Sequence, residues 1–499
     1  MTASTQPAPE RTYRFGPLDR TGWILGLGPQ QCFALGCGLF AAGLLLQVRA
    51  TLPVAILPVV VATVFAFASW DGRSVHQWAP VVMRHGALAV TRRSKWFATV
   101  RPLSRAAVDI DELPSLPTFL AGLDLLDAGA FAWSPPTLHS GVCLVRDARD
   151  GTFSASIRAR GRAFSLLERT EQERVISQWG EVLAAFCTER RHISRVRVTE
   201  CAAPAGIAEH VRFVDDNGND PSESAARRTY DELLDDAGPL AVGHDVLVTI
   251  TADPRRIRTG RDRSREAAAA DVLGEELRLL TSRLEGMGLA VDPPLSVAEV
   301  AATLRLRIDP RSSIAHPERG RTARSSGPLA CDTTWSALRA DGSWHRTYWI
   351  AEWPRLDVGP SWMEPLLLHA GGVRTVAIHY EPVPPSRSQR RIDQDSTRLA
   401  TDEEQRSRGG FRIGARHRRA QAAVLEREAE LVAGYAELEY AGFLTVTAPD
   451  QEQLLRECAE YEQAAAQAGL ELRALEGRHD LGFVCSLPVG RGLAPRRFA

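Results

Sequence analysis

Apolar residues are distributed most unevenly near the N-terminus. Residues 31–48 and 52–70 form two runs without a charged side chain, separated only by Arg49, Ala50 and Thr51. A helix needs about 17–25 apolar residues to cross a bilayer, and so short a link between two such helices makes a tight hairpin. We therefore predict a transmembrane hairpin within residues 23–72, with helices at about 31–48 and 52–70.

Basic residues on either side of this hairpin indicate its orientation. The link contains Arg49, whereas eight basic residues flank the two runs: Arg11, Arg14, Arg20, Arg73, Arg84, Arg92, Arg93 and Lys95. Because basic residues accumulate on the cytoplasmic side, the pattern predicts a multi-pass plasma-membrane protein with both termini in the cytoplasm. A cleaved signal peptide and a buried core hairpin of a soluble protein are the alternatives.

The pattern after about residue 141 is mixed. Asp150-Gly151 separates two alternating runs, which is a hairpin signal, and Ser296 with Glu299 has the spacing of a capping box. Near the C-terminus the pattern predicts strands at 442–447, 470–475 and 483–487, with a helix at 451–468. This order favours a ferredoxin-like α+β layer. The predicted fold class is thus α+β, with a transmembrane helical hairpin followed by cytoplasmic ferredoxin-like modules.

Breaks in composition divide the chain into five parts. Asp109–Pro117 is acidic and contains prolines, and Pro310–Gly327 is rich in Arg, Ser and Gly, so both are predicted to be connections. We predict a cytoplasmic tail at 1–22, the hairpin at 23–72, a juxtamembrane helix and linker at 73–135, and two α+β modules at 136–310 and 328–499.

The basic residues of the chain are almost all arginine. Lysine plus arginine number 60 against 61 acidic residues, and Lys95 is the only lysine. A Walker A loop needs a lysine after a glycine-rich turn, but Lys95 lies between Ser94 and Trp96. The sequence therefore excludes P-loop nucleotide hydrolysis, and it also excludes Schiff-base chemistry unless Lys95 itself serves.

Other catalytic and metal-binding patterns are missing as well. The chain has no nucleophile elbow, no H-E-x-x-H motif and no C-x-x-C pair, and its 12 histidines lack metal-ligand spacing. We predict no catalytic residue, no cofactor-binding residue, no metal ligand and no cofactor. Three arginine-rich segments remain, at Arg255–Arg265, Arg387–Arg391 and Arg406–Arg419. They are either solvated loops or docking sites for an acidic partner, anionic lipid or nucleic acid.

Several segments resemble a known family in their order along the chain. Tyr13–Leu27, the apolar hairpin and Asp71–His85 resemble the small PrgI-like inner-membrane subunits of conjugation and type IV secretion machines. The remainder resembles the N-terminal, non-motor half of TraC/VirB-type secretion ATPases. The segments that carry this second resemblance are the strand–helix–strand around Phe153 and Trp179, then Ile350–Arg355, His379–Pro384, Glu428–Gly434 and Phe483–Gly490.

Together the two parts are similar to an actinobacterial family of integral membrane proteins that join them in one chain. The resemblance implies a non-enzymatic inner-membrane platform (a scaffold) that docks a separate P-loop ATPase and channel subunits. It implies no nucleotide site here, because the motor part has no counterpart in this sequence. Homo-oligomerisation and direct contact with nucleic acid stay open. The alternatives are a membrane-anchored, transferase-like enzyme at the cytoplasmic face and a membrane-tethered adaptor without a role in translocation.

Overall fold

The computed structural model describes Tyr13, Phe15, Arg190 and residues 29–47, 55–70, 73–98, 116–128, 141–161, 164–188, 192–204, 208–217, 224–237, 242–257, 264–311, 326–369, 371–408 and 415–492. Apart from Tyr13 and Phe15, the predicted tail at 1–22 lies outside these residues. The predicted link at 49–51 and residues 99–115 and 129–135 of the predicted linker do so as well.

Helices and strands alternate along most of the described chain. The helices are α1 (Pro29–Leu46), α2 (Leu57–Phe67), α3 (Val75–Val90), α4 (Arg169–Thr188), α5 (Ala208–Asn217), α6 (Ala225–Ala237), α7 (Arg265–Gly286), α8 (Val297–Ile308), α9 (Glu364–Leu367), α10 (Pro385–Arg408), α11 (Ala415–Val432), α12 (Gln451–Gln467) and α13 (His479–Cys485). The strands are β1 (Ser69–Trp70), β2 (Arg73–Ser74), β3 (Lys95–Phe97), β4 (Leu123–Asp127), β5 (Cys143–Asp147), β6 (Thr152–Arg160), β7 (Ile193–Pro204), β8 (Val242–Ala252), β9 (Ala290–Val291), β10 (Ala330–Thr333), β11 (Leu338–Ala340), β12 (Ser343–Glu352), β13 (Val373–Pro382), β14 (Leu438–Ala448) and β15 (Glu471–Ala474).

The predicted transmembrane hairpin is wrong, and the predicted multi-pass plasma-membrane location is corrected with it. Among the described residues, no helix is both long and apolar enough to cross a membrane. Helix α1 begins with a proline and two glutamines. Helix α2 ends at Phe67 and is about 16 Å long at 1.5 Å per residue, roughly half of a bilayer core. The uncharged run at 52–70 continues past the end of α2 into β1, which pairs with β2. The helix is therefore shorter than the uncharged run that contains it.

A large antiparallel sheet contains two copies of one topology, which makes the architecture mixed α+β. The first repeat runs from β4 to α8 and the second from β10 to α13. In each repeat four strands follow the order of a ferredoxin-like layer, β9-β6-β8-β7 in the first and β15-β12-β14-β13 in the second. In each, a hairpin precedes these strands and extends the sheet outward, β4-β5 in the first and β10-β11 in the second.

The two repeats join edge to edge. Strand β7 pairs with β13 in antiparallel register over seven residue pairs, from Arg374 opposite Ala202 to Tyr380 opposite Val196. The full sheet therefore reads β3-β10-β11-β12-β14-β13-β7-β8-β6-β5-β4 and is nearly palindromic about this junction. Paired backbone groups make the junction part of one continuous sheet.

Apolar side chains cover both faces of the sheet. On one face, α4 and α7 pack on the first repeat and α12 packs on the second. On the opposite face, one cluster joins Val145 and Leu247 of the first repeat to Leu338 of the second, through Leu304 of α8 and Phe483 of α13. This shared cluster stabilises the repeats against each other. Helix α13 also corrects the predicted strand at 483–487.

Each repeat carries a helical insertion at the equivalent place, between its second and third ferredoxin-like strands. Helices α5 and α6 lie between β7 and β8, and α10 and α11 lie between β13 and β14. The longer pair, α10 and α11, packs together. Because β7 and β13 are antiparallel, the two insertions leave opposite ends of the sheet.

Candidate interaction surface

Helices α1 and α2 pack closely because a glycine lies at their contact. A Cβ atom on Gly38 would lie 2.4 Å from the Cβ of Ala62 and 2.9 Å from the carbonyl oxygen of Pro58, so only glycine fits there. At one end of the contact, the Gln31 side chain donates a hydrogen bond of 2.8 Å to the carbonyl oxygen of Ala66. The two helices therefore form a defined pair, which we call the α1–α2 pair.

The outer surface of the α1–α2 pair is apolar and uncharged. Neither helix contains a charged residue. Many of its large side chains are exposed, by fractions that run from 49% at Val60 to 74% at Phe33. The other exposed residues are Leu39, Phe40, Leu44, Leu46, Ile56, Leu57, Val61, Val64 and Phe67. A contiguous apolar surface of this kind marks a site of interaction.

Helix α3 fixes the α1–α2 pair to the second repeat. Arg84 of α3 forms an ion pair with the buried carboxylate of Asp480 and donates a 3.0 Å hydrogen bond to the carbonyl oxygen of Gly477. Trp78 stacks on Trp335 with a ring separation of 5.9 Å. Within the segment 73–135, where the sequence predicts a juxtamembrane helix and linker, α3 thus packs on the second repeat.

The arginine-rich segments are partly neutralised where the structure describes them. Arg255 and Arg256 both contact the carboxylate of Asp253, at 2.9 and 3.6 Å. In α10, Arg391 forms ion pairs with Glu437, which precedes β14, and with Glu439 of β14. Residues 258–263 and 409–414 lie outside the described part. Arg255, Arg256 and Arg391 thus form ion pairs within the chain, whereas Arg387 and Arg390 of α10 are exposed.

A buried polar cluster occupies the junction of the repeats. Arg197 of β7 donates hydrogen bonds to the carbonyl oxygens of Leu487 and Arg491, and Arg195 donates one of 2.9 Å to that of Gly490. Burial lowers the pKa of Arg197 to about 9. His379 of β13 donates from Nε2 to the carbonyl oxygen of Cys485. These partners are backbone groups of the chain itself, so the cluster holds the segment after α13 against the sheet.

Two further features of the described chain bear on a catalytic site, the single lysine and a cleft beside α8. Lys95 lies on β3, largely exposed and 3.9 Å from Asp332. In the described part of the chain, no group of three His, Cys, Asp or Glu side chains could hold a metal ion. A cleft beside α8 is lined by residues that are not ionisable: Leu116, Leu120, Leu123, Leu125, Leu304, Ile308, Ser326, Gly327 and Val489.

Sequence reasoning found one part of this site and missed another. It identified the residues of the α1–α2 pair through their lack of charge but interpreted them as membrane spans. It missed the junction cluster, because Arg195 and Arg197 alternate within an ordinary strand and nothing local shows that they are buried.

Comparison with known proteins gives no relative. No protein-family model matches the chain, and no curated protein matches it. The prediction of a transmembrane, PrgI-like subunit of type IV secretion or conjugation is therefore corrected on two counts. No described helix is long and apolar enough to cross a membrane, and no family or relative ties the chain to that system.

Proposed function

We propose that the protein is a non-enzymatic scaffold that assembles with further copies of itself through the α1–α2 pair and holds a second protein on its double sheet. The observation that carries the proposal is the uncharged, exposed surface of this pair, which α3 attaches to a large folded body. The alternative of an enzyme predicts a cleft with converging ionisable groups, whereas the cleft beside α8 is lined by non-ionisable residues.

A second copy is the partner that best fits the α1–α2 pair. The surface has no charge, so a partner can supply no complementary ion pair and must itself be apolar. The same surface on another copy meets this requirement by symmetry, since two-fold contacts use one patch twice. Two helical pairs packed together would bury the exposed leucines, valines and phenylalanines in the manner of a four-helix bundle.

The second protein is proposed to be a separate P-loop ATPase. This partner is the one implied by the order of the sequence segments quoted above, from the strand–helix–strand around Phe153 and Trp179 to Phe483–Gly490. The structure offers surfaces on which a partner could rest, because α10 and α11 project from one end of the sheet and α5 and α6 from the other. Their exposed apolar residues include Phe213, Leu233, Leu425 and Val432.

Self-assembly is tested by the mass of the full chain in solution. We expect sedimentation of the wild type to show a dimer or larger species that dissociates on dilution. Val61→Glu, which places a charge on the exposed face of α2, should give a monomer. Leu166→Glu is the matched control, because Leu166 is 86% exposed but distant from the pair in sequence and outside it. A wild type that is monomeric at all concentrations, or that floats with lipid vesicles as a monomer, would contradict the proposal.

Docking of the ATPase is tested separately. The tagged full chain is purified from its native cells and bound proteins are identified by mass spectrometry. A P-loop ATPase should be recovered with the wild type. Repeated recovery of the scaffold without any protein that has a Walker A lysine would exclude this part of the proposal and leave self-assembly standing.

A further inference from the structure

Strand β3 lies at one end of the large sheet. It pairs with β10 in antiparallel register, and no described strand pairs with its other side. Just after β3, Ala98 donates a hydrogen bond of 2.7 Å to the carbonyl oxygen of Leu329. Because the bonds of an antiparallel pair alternate, the backbone groups of Trp96 also face β10, whereas those of Lys95 and Phe97 face outward. Strand β3 therefore offers the N–H and C=O groups of both residues to an additional strand.

The exposed side chains along this edge are basic or apolar. The side chain of Lys95 is 65% exposed, and Phe97 is 69% exposed. Arg92 and Arg93, between α3 and β3, are exposed as well. Lys95 lies 3.9 Å from the half-buried carboxylate of Asp332, which is the outer limit of an ion pair. We call Arg92, Arg93, Lys95 and Phe97 the β3 edge site.

Arg92 lies in a backbone conformation that favours glycine. Its φ is +55°, in the left-handed region that residues with a side chain rarely adopt. Arg93 donates a hydrogen bond of 2.9 Å to the carbonyl oxygen of Leu88, and Arg92 donates one of 3.1 Å to that of Ala89. This is the pattern of a helix end at which glycine is the usual residue. The chain thus keeps a positive charge beside β3 at a cost in backbone strain that glycine would avoid.

The charges of the β3 edge site indicate which partner fits it. A second copy of β3 fits poorly, because pairing the two edges would bring the basic residues of both copies together. A lysine on an edge strand opposes such self-pairing, and Lys95 is the only lysine of the chain. A segment of another protein fits if it is extended, to meet the outward backbone groups, and acidic, to match the exposed basic side chains.

We propose that the β3 edge site binds an extended, acidic segment of another protein, which adds to the sheet as a further strand. The outward backbone groups of Lys95 and Phe97 supply the hydrogen bonds, and the exposed Phe97 ring supplies an apolar contact. Arg92, Arg93 and Lys95 select a segment that carries carboxylates. The site lies outside the α1–α2 pair, and the inference does not depend on the proposed self-assembly.

The test uses the full chain and a short fluorescent peptide of alternating glutamate and valine. We expect saturable binding that weakens as the salt concentration rises, and no binding of the same peptide with lysine in place of glutamate. Arg92→Gly together with Lys95→Gln should weaken binding by at least about tenfold. Because Arg92→Gly relieves the backbone, the protein should remain folded. Arg278→Gln removes an exposed charge from α7 and should leave binding unchanged.

Two further measurements show whether the peptide binds as a strand. Phe97→Pro removes an outward N–H group but keeps the bonds of Trp96 and Ala98 to β10, so it should abolish binding in a protein that circular dichroism shows to be folded. If Phe97→Pro does not fold, a peptide with N-methylated amides decides, because it cannot donate to the edge and should not bind. Absent binding of the glutamate peptide, equal binding of the lysine peptide, or undiminished binding of the N-methylated peptide would overturn the proposal.

Discussion

His379 lies directly opposite Arg197 where the two repeats meet. The residues form a register pair between β13 and β7, and both side chains are fully buried. They do not bond to each other. His379 bonds to the carbonyl oxygen of Cys485, the last residue of α13, and Arg197 bonds to those of Leu487 and Arg491, which follow it. The strand junction and the C-terminal segment therefore depend on the same two side chains.

Replacing Arg197 should destabilise the whole fold. Arg197→Met keeps the length of the side chain but leaves two buried carbonyl oxygens without their donor, at an expected cost of about 2–4 kcal/mol in the free energy of unfolding. Urea unfolding measures this change. Arg278→Met alters an exposed arginine of α7 and should change stability by less than about 0.5 kcal/mol. Equal effects of the two substitutions would contradict the structural role of Arg197.

His345 should make stability depend on pH below neutrality. Its ring is fully buried, with Nδ1 2.9 Å from the Thr447 hydroxyl and Nε2 donating to the carbonyl oxygen of Ile308. Burial lowers its pKa to about 4, against 6.5 for an ordinary histidine. Between pH 4 and pH 6.5, His345 is protonated in the unfolded chain but neutral in the native protein. Stability is therefore complete above pH 6.5 and falls as the pH drops towards 4, by at most about 1.4 kcal/mol per pH unit for this group.

The pH effect is measured by urea unfolding between pH 7 and pH 4.5. His345→Gln should lower the stability at pH 7 and flatten the pH dependence. His379, whose pKa burial also lowers, will still contribute. Parallel pH profiles for the wild type and His345→Gln would show that folding does not lower the pKa of this histidine.

Two glycines should respond in opposite ways to the same substitution. Gly490 has a φ of +67°, and a Cβ atom there would lie 2.5 Å from the Ser154 hydroxyl oxygen, so Gly490→Ala should cost about 1–3 kcal/mol. Gly180 lies within α4 with nothing near its missing Cβ, so Gly180→Ala should stabilise the protein by up to about 1 kcal/mol. Thermal unfolding distinguishes the two substitutions. If Gly490→Ala left the stability unchanged, the C-terminal segment would be able to shift and accommodate the added methyl group.

Thiol reactivity should separate the cysteines of α1 from all the others. Cys143, Cys187, Cys201, Cys331, Cys458 and Cys485 are buried, whereas Cys37 is exposed and Cys32 is half-buried. Burial raises the pKa of Cys143 to about 12 and that of Cys187 to about 11, which keeps these thiols protonated at neutral pH.

With a disulfide reagent at pH 8, we expect dilute native protein to react only at the α1 thiols, and the remaining six to react after denaturation. Concentrating the protein should slow the reaction of Cys37 as the α1–α2 pair becomes covered. The Cys37→Ser variant shows how much of the measured thiol reaction comes from Cys37. A rate at Cys37 that does not change with concentration would argue against burial of this face in an assembly.

Local features of the fold were predictable from the sequence. The capping box of Ser296 and Glu299 begins α8 as predicted, because both hydrogen bonds involve residues three positions apart. Asp150-Gly151 likewise lies in the turn between β5 and β6, where Gly151 has a φ of +68°. Such signals need only neighbouring residues.

Features that depend on distant partners were not predictable. The pairing of β7 with β13 joins residues more than 170 positions apart. The candidate surface shows the same limit. The absence of charge within Pro29–Leu46 and Leu57–Phe67 was plain, but the length of each helix, which decides whether it can span a bilayer, depends on where the chain turns.

The ion pair between Arg491 and Asp147 also has a consequence for synthesis. The two residues are separated by 344 positions, and the Arg491 side chain also bonds to the carbonyl oxygens of Phe119 and Ala121. At about 5–20 residues per second, a ribosome needs roughly 17–70 s to reach Arg491 after Asp147 has been added. During that interval the emerging first repeat lacks the ion pair and the hydrogen bonds that Arg491 supplies. We therefore expect chaperones and proteases to act on nascent chains chiefly around Phe119, Ala121 and Asp147, which Arg491 contacts in the finished fold.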